Sequence, residues 1–232
     1  MFDKLPISSK TEKILTKSLD EPISAEDANY LINIKGSDLY PLLATADYLR
    51  QEIAGNNVTF INNCNINFTN ICTVRCGFCA FGKDADDPEA YILDDEAILK
   101  KAQGAVDKGA HEFCVMGGVL PDADVEYYEH LLQLLKGEFP NIMIHGFSPT
   151  MIKDASVVSG ISVEDAFERL KSAGLDTLPG TAAEILTDRS REIICPEKVT
   201  TQEWIDIVKT AHEVGISGSA TIMYGHVETP EE

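Results

Sequence analysis

The hydrophobic positions change period along the chain, and the change divides it into a helical lead-in and a longer run of alternating strands and helices. From residue 11 to residue 55 the apolar side chains recur at helical spacing. Ser24 is placed as a cap ahead of Ala25-Glu-Asp-Ala-Asn-Tyr-Leu-Ile, and a second helical segment runs from Leu39 to a glycine stop at Gly55. After Asn56-Asn57 the period falls to two, so Val58-Thr-Phe-Ile61 and Asn65-Ile-Asn-Phe-Thr69 read as strands with their apolar side chains on one face. The pattern then predicts a helix over Asp95–Lys108, a strand over Glu112–Met116, a helix over Val125–Phe139 and a strand over Ile142–Phe147. A helix over Val163–Ala173, a short strand over Leu175–Leu178, a helix over Thr201–Val214 and a fifth strand over Ser219–Met223 complete it. Gly109, Gly174 and Gly215 fall where helices end, the usual place for a left-handed stop.

Repeated strand-helix alternation implies a parallel sheet with helices outside. The expected fold is therefore α/β, a partial (βα) TIM-like barrel incomplete after the fifth strand, over residues 57–232, preceded by a helical N-terminal extension over 1–56. Such barrels carry their working residues on the loops that follow the strands. At those places stand a cysteine-rich loop, Gly117-Gly118, Ser148-Pro149, Pro179-Gly-Thr-Ala-Ala-Glu184 and Tyr224-Gly-His226. Trp204, Ile207, Val208 and Ala211 form an i, i+3, i+4, i+7 stripe, which reads as core packing.

Composition narrows the partners. With 232 residues and 44% hydrophobic content, the chain can bury a full core. Its 19 basic and 38 acidic residues give a net charge of -19, which disfavours nucleic acid and anionic membrane surfaces. No apolar run approaches the roughly 20 residues of a membrane span. The opening Met1-Phe-Asp-Lys-Leu-Pro6 lacks a charged start followed by an apolar run, so the expectation is a cytoplasmic protein without disulfides.

Cys72, Cys76 and Cys79 lie in the stretch Asn70-Ile-Cys-Thr-Val-Arg-Cys-Gly-Phe-Cys-Ala-Phe81. Three thiolates at this spacing on one loop suit three corners of an iron-sulfur cubane, leaving a fourth iron open to a small chelating molecule. A structural zinc site closed by a histidine is the alternative, although the chain has no second ligand pair at a suitable distance. Cys64, Cys114 and Cys195 are scattered singly, and Cys114 reads as a small core residue in its strand. Paired glycines after a strand let a ligand approach backbone that a Cβ would shield, which makes Gly117-Gly118 a candidate. Glu184 either faces the barrel mouth or stands near a helix N-terminus, where the dipole would stabilise it. His145, within a strand, is either a core histidine or a ligand. His226, beside Tyr224, is a candidate for polar contact with substrate, and His111 and His130 read as surface residues.

The spacing Cys-x3-Cys-x2-Cys, with Phe78 before the last cysteine, resembles the radical S-adenosylmethionine (SAM) superfamily. A closer resemblance rests on Asn65–Cys72, Cys76–Phe81, His145–Pro149, Ala173–Leu186, Ile193–Lys198 and Ala220–Glu228. From residue 25 onward these segments resemble the CofH family, the tyrosine-using subunit of 7,8-didemethyl-8-hydroxy-5-deazariboflavin (Fo) synthase. The resemblance implies a 4Fe-4S cluster on Cys72, Cys76 and Cys79, capped by the amino and carboxylate groups of SAM. It assigns Gly117, Gly118, Ser148 and Glu184 to cofactor binding and His145, Tyr224 and His226 to substrate. The implied reaction takes hydrogen from L-tyrosine with a 5'-deoxyadenosyl radical, cleaves the Cα-Cβ bond and joins the 4-hydroxybenzyl unit to 5-amino-6-(D-ribitylamino)uracil. The implied partners are these small molecules, an electron donor and the companion Fo synthase subunit (CofG). Three features depart from the family pattern. Val119 and Leu120 stand within Met116-Gly-Gly-Val-Leu-Pro121, where polar residues are expected in place of Met116 and Leu120; Met151 stands where an acid is expected; and family members continue beyond the position of Glu232. A radical SAM enzyme of the futalosine route to menaquinone and a noncatalytic cluster-binding remnant are the alternatives.

Overall fold

The computed structural model describes residues 7–232, so the reading of Met1–Pro6 lies outside the described residues. The chain divides into two units, Met1–Phe60 with Glu228–Glu232, and Ile61–Val227. In the first, helices α1 (Ser9–Lys17), α2 (Ala25–Ile32) and α3 (Leu39–Ala54) surround a small cluster of Ile14, Leu15 and Leu31. The Ser24 hydroxyl accepts from the Asp27 amide as the cap of α2, and α3 stops at Gly55. Thr11 donates to the Asp38 carboxylate at 2.7 Å, and Ser8 bonds the same group, which ties the start of α1 to the turn before α3. Val58–Ile61 forms no strand, contrary to the alternation. Val58 and Phe60 are 88% and 93% exposed, so the pattern there has no surface to bury against.

The second unit is the barrel part. Strands β1 (Asn63–Asn67), β2 (Glu112–Met116), β3 (Met143–Gly146), β4 (Thr177–Leu178) and β5 (Ser217–Gly218) form one parallel sheet in sequential order. Between them lie α4 (Asp95–Val106), α5 (Val125–Glu138), α6 (Pro149–Ser159), α7 (Val163–Ala173), α8 (Asp188–Ile194) and α9 (Thr201–Glu213). The strand-helix alternation and parallel order make this a partial α/β barrel. Ile66, Phe113, Val115, Ile144 and Leu178 are buried on the helix side of the sheet. Burying several such side chains, at about 1.5–3 kcal/mol each, fixes the strand register. The opposite face carries a row in register, Asn65, Cys114, His145, Thr177 and Ser217. Cys114 is thus half-buried in a polar row and not part of the apolar core that the strand pattern suggested.

The helices follow their apolar stripes. Along α5 the buried positions are Val125, Tyr128, Leu131, Leu132 and Leu135, and along α9 they are Trp204, Ile207 and Ala211. A capping box between Thr200 and Glu203 starts α9. His111 is exposed, and the exposed His130 meets Asp95 at 3.0 Å. Two helices were not anticipated. Ser148-Pro149, read as a loop, is the cap and first residue of α6, a start signal that proline at the first helical position supplies. The seven residues of α8 are too few to display a period. The fifth strand also falls earlier than the expected Ser219–Met223. Ile216 is buried and β5 pairs at Ser217 and Gly218, while Ile222 makes only an isolated bridge with Glu184.

Candidate active site

The cysteine loop leaves β1 and is fastened from three sides. Along its own path, the Cys72 amide donates to the Lys83 carbonyl at 3.0 Å and the Cys79 amide to the Cys76 carbonyl at 3.0 Å. Arg75 donates to the Cys72 carbonyl at 3.0 Å and pairs with Asp84, while its amide is held by Glu197 at 3.0 Å. From the turn after β2, the Val119 amide donates to Cys72 Sγ at 3.3 Å and the Val119 carbonyl accepts from Thr73 at 2.9 Å. From α8, the Ile194 carbonyl accepts from Gly77 at 2.8 Å.

The glycine pair serves this fastening. A Cβ on Gly118 would stand 2.0 Å from the Ile71 carbonyl oxygen, and one on Gly117 would stand 2.9 Å from the Phe68 ring. Gly118 is therefore required by the backbone of the cysteine loop, a protein contact in addition to the ligand contact expected from sequence. Ser148 uses its hydroxyl as an acceptor for the Met151 amide at 3.3 Å. The Ser148 amide in turn points at Met151 Sδ, 3.5 Å away. That sulfur occupies the place of the acid expected at this position in the capping box.

A cavity of about 220 Å³ opens over the loop. It is lined by Cys72, Cys76 and Cys79, by Gly117 and Gly118, and by Ser148 and Glu184, so seven of the sequence candidates converge there. Glu184 is not a helix-terminal carboxylate. It is 8% exposed, accepts from the Ala182 amide at 3.1 Å and meets Lys198 Nζ at 2.5 Å. Lys198 lines the same cavity and lies 5.2 Å from the centre of the Phe78 ring. Thr150 and Thr181 also line it, and both hydroxyls are buried without a hydrogen-bond partner. Sequence reasoning did not single out Lys198, Thr150 or Thr181. Lys198 closes the segment Ile193–Lys198, but a charge within a matched segment carries no mark of where it points.

Three candidates do not line the cavity. His145 sits in the polar row, with Nδ1 2.7 Å from Thr177 Oγ1, and burial lowers its pKa below the ordinary histidine value. Tyr224 is 84% exposed. His226 bonds within its own turn, to the Met223 carbonyl at 3.0 Å and the Val227 amide at 2.8 Å.

The donor set suits a soft, cationic group. Burial pushes the Cys76 thiol up to about 11, against the opposing pull of the Lys198 charge. A thiolate there needs compensating positive charge, which bound iron supplies. Among the described residues no three His, Cys, Asp or Glu side chains converge on a single ion. The three thiols stand on one loop and line one cavity, where a cluster would take one iron per thiolate.

A model of the radical SAM superfamily matches residues 66–232, and the chain belongs to that superfamily. Among its curated relatives is the 5-amino-6-(D-ribitylamino)uracil--L-tyrosine 4-hydroxyphenyl transferase of Methanothermobacter thermautotrophicus, 48% identical over 97% of this chain and 61% of that relative. Transferase 1 of Methanosarcina mazei is 45% identical over 95% of this chain and 57% of its own. The chain thus spans about three fifths of the length of these relatives. Among solved structures, the [FeFe]-hydrogenase maturase HydG of Carboxydothermus hydrogenoformans aligns with a TM-score of 0.74 at 19% identity, over 96% of this chain and 50% of that one. Methylornithine synthase PylB aligns with a TM-score of 0.65 at 18% identity, over 90% and 57%. These two likenesses concern the fold. No helix among the described residues is long and apolar enough to cross a membrane.

Proposed function

We propose that this chain holds a 4Fe-4S cluster on Cys72, Cys76 and Cys79, binds SAM in the cavity above it, and acts in the transfer named for its relatives. That reaction couples the 4-hydroxybenzyl group of L-tyrosine to 5-amino-6-(D-ribitylamino)uracil. The observation that carries the reading is the single cavity joining the three cysteines to Gly117, Gly118, Ser148 and Glu184. The names of the relatives, at 45–48% identity, supply the substrates.

When bound and reduced, the cluster supplies the electron that splits SAM into methionine and a 5'-deoxyadenosyl radical. The chain's own residues do the rest by placement. The Val119 amide, directed at Cys72 Sγ, stabilises a thiolate at that position. Glu184 and Lys198 offer one acceptor and one cation in a half-dry pocket, a pairing matched to the amino and carboxylate groups of an α-amino acid. Phe78, Phe81 and Met116 line the cavity with apolar surface that limits water near a reactive carbon. The lower polar row, with His145 and Thr177, faces the side of the sheet where substrate would lie in a barrel.

Anaerobic reconstitution with iron and sulfide, followed by reductant, SAM, tyrosine and the ribitylaminouracil, tests the reading. Tyrosine-dependent 5'-deoxyadenosine and the coupled product, both measured by mass spectrometry, are the expected result. Iron should vanish in Cys76→Ala. Stoichiometric zinc in the wild type that is lost in that variant would refute the cluster.

A further inference from the structure

Arg191, on α8, is 3% exposed, and its guanidinium is wrapped in backbone. One terminal nitrogen donates to the carbonyls of Ala182 at 2.8 Å, Ala183 at 2.6 Å and Ile185 at 3.4 Å. The other donates to the Val199 carbonyl. A buried cation is costly unless its donors are satisfied, and these carbonyls satisfy both terminal nitrogens, while Nε is buried without a partner.

The segment it grips is strained. Ala182 and Glu184 have φ of 69° and 47°, the left-handed region that a residue with a Cβ disfavours. Left-handed turns at alternate positions direct the carbonyls of Ala182, Ala183 and Ile185 to the guanidinium, while the Glu184 side chain lines the cavity. The Glu184 carbonyl goes elsewhere, accepting from the Met223 amide at 2.6 Å. The fourth acceptor, Val199, directly follows Lys198. One guanidinium therefore fixes the backbone carrying both members of the Glu184–Lys198 pair.

We propose that Arg191 is a positioning residue for the SAM cavity: through those carbonyls it holds Glu184 and Lys198 in their binding geometry, without touching ligand itself. The proposal rests on the SAM-binding reading above. Trp204 supplies a readout that is independent of turnover. It is the chain's one tryptophan, and its Nε1 donates to the Thr181 carbonyl at 3.3 Å, at the head of the gripped segment.

The test compares wild type, Arg191→Ala and Arg191→Lys after reconstitution, each normalised to bound iron. SAM affinity is read from the change in the electron paramagnetic resonance spectrum of the reduced cluster, and loop order from Trp204 fluorescence and its quenching by acrylamide. Partners that orient a binding group are typically worth about 10–100-fold. Arg191→Ala should lose SAM affinity in that range and show a more quenchable Trp204. Millimolar guanidinium, filling the space left by the side chain, should restore both, and Arg191→Lys should fall between. Restoration separates positioning from a general loss of fold, which a small ion would not repair. Wild-type affinity and quenching in Arg191→Ala would overturn the proposal. If Arg191→Ala does not fold, wild-type behaviour of folded Arg191→Lys would overturn it equally. A wild-type protein whose cluster spectrum ignores SAM would sink the SAM reading, while the fluorescence response to guanidinium would still decide the role of Arg191 in ordering the segment.

Discussion

Replacing Gly118 by alanine should damage the cysteine loop without changing any cysteine. The added Cβ would lie 2.0 Å from the Ile71 carbonyl oxygen, 2.6 Å from its carbon and 2.8 Å from Cys72 Cβ. To reach even 3.0 Å, the Ile71 carbonyl must retreat by about 1 Å, and what moves is backbone. That backbone cannot yield freely, because the Ile71 amide donates to the Thr69 hydroxyl at 3.1 Å on one side and the Cys72 amide to the Lys83 carbonyl at 3.0 Å on the other. Overpacking of this kind costs about 1–3 kcal/mol, and more when the neighbour cannot rotate away. Gly104, inside α4 with nothing within 4 Å of an added Cβ, is the control. Alanine there should stabilise by about 0.8–1 kcal/mol through helix propensity. Urea unfolding should separate the two variants by about 0.6 M or more in midpoint, given slopes of about 1–3 kcal/mol/M. Iron content after reconstitution should fall in Gly118→Ala alone. Equal midpoints and equal iron in both variants would refute the claim that the glycine exists to let the loop pass.

The remaining predictions concern titration and the unpartnered hydroxyls. In the cluster-free protein at pH 8, iodoacetamide should label exposed Cys79 before Cys76, whose buried thiol titrates at about 11. Peptide mapping should show a difference on the order of tenfold or more, and equal labelling would contradict the burial argument. Burial lowers the pKa of His145, so the unfolded chain binds its proton first as pH falls. Stability from this group is present above the unfolded value of about 6.5 and lost below it, and His145→Gln should flatten the pH dependence of the urea midpoint between pH 7 and 5.5. An unchanged slope would show that His145 is not the group responsible. Thr150→Val removes a buried hydroxyl that has no partner, so the free protein should hold its melting temperature or gain about 1 kcal/mol. SAM affinity should drop in the same variant; a loss of stability would mean the hydroxyl already has a partner.

The architecture was legible because most elements keep one clear period. Helices α5 and α9 and strands β2 and β3 bury one stripe or face each, and their limits fall within a few residues of the pattern. Where the pattern misled, burial was absent or the element was short. Val58 and Phe60 alternate as strand residues do, yet face solvent, and β4 and β5 pair over two residues each. In the site, the cysteines and glycines were legible from spacing and from their places after β1 and β2. Lys198, Thr150, Thr181 and Arg191 were not, since each takes its role from what folding brings beside it. The misplacement of β5 carried through to Tyr224 and His226. A strand ending at Met223 would put them at the barrel mouth, whereas β5 ends at Gly218 and a further stretch of chain intervenes.

Among the described residues, left-handed non-glycine backbone gathers around one cavity, and the buried unpartnered hydroxyls of Thr150 and Thr181 line it, whereas those of Thr45 and Thr201 do not. Among the described residues, Phe147, Ala182 and Glu184 are the non-glycine positions with positive φ, and Phe147 adjoins Ser148 while the other two line the cavity themselves. At about 1–2 kcal/mol each, these conformations oppose folding. The hydroxyls of Thr150 and Thr181 add about 1–3 kcal/mol each for lack of a partner. A protein whose net stability is on the order of 10 kcal/mol can carry such costs only where other contacts over-determine the backbone, as Arg191 does for residues 182–185. A ligand that satisfies the free hydroxyls recovers part of that cost on binding. That gain is contained in its dissociation constant, and at a hundred times that value the ligand stabilises the fold by about 2.7 kcal/mol through mass action. The strain held by Arg191 at residues 182–185 thus lies beside hydroxyls whose cost binding can offset.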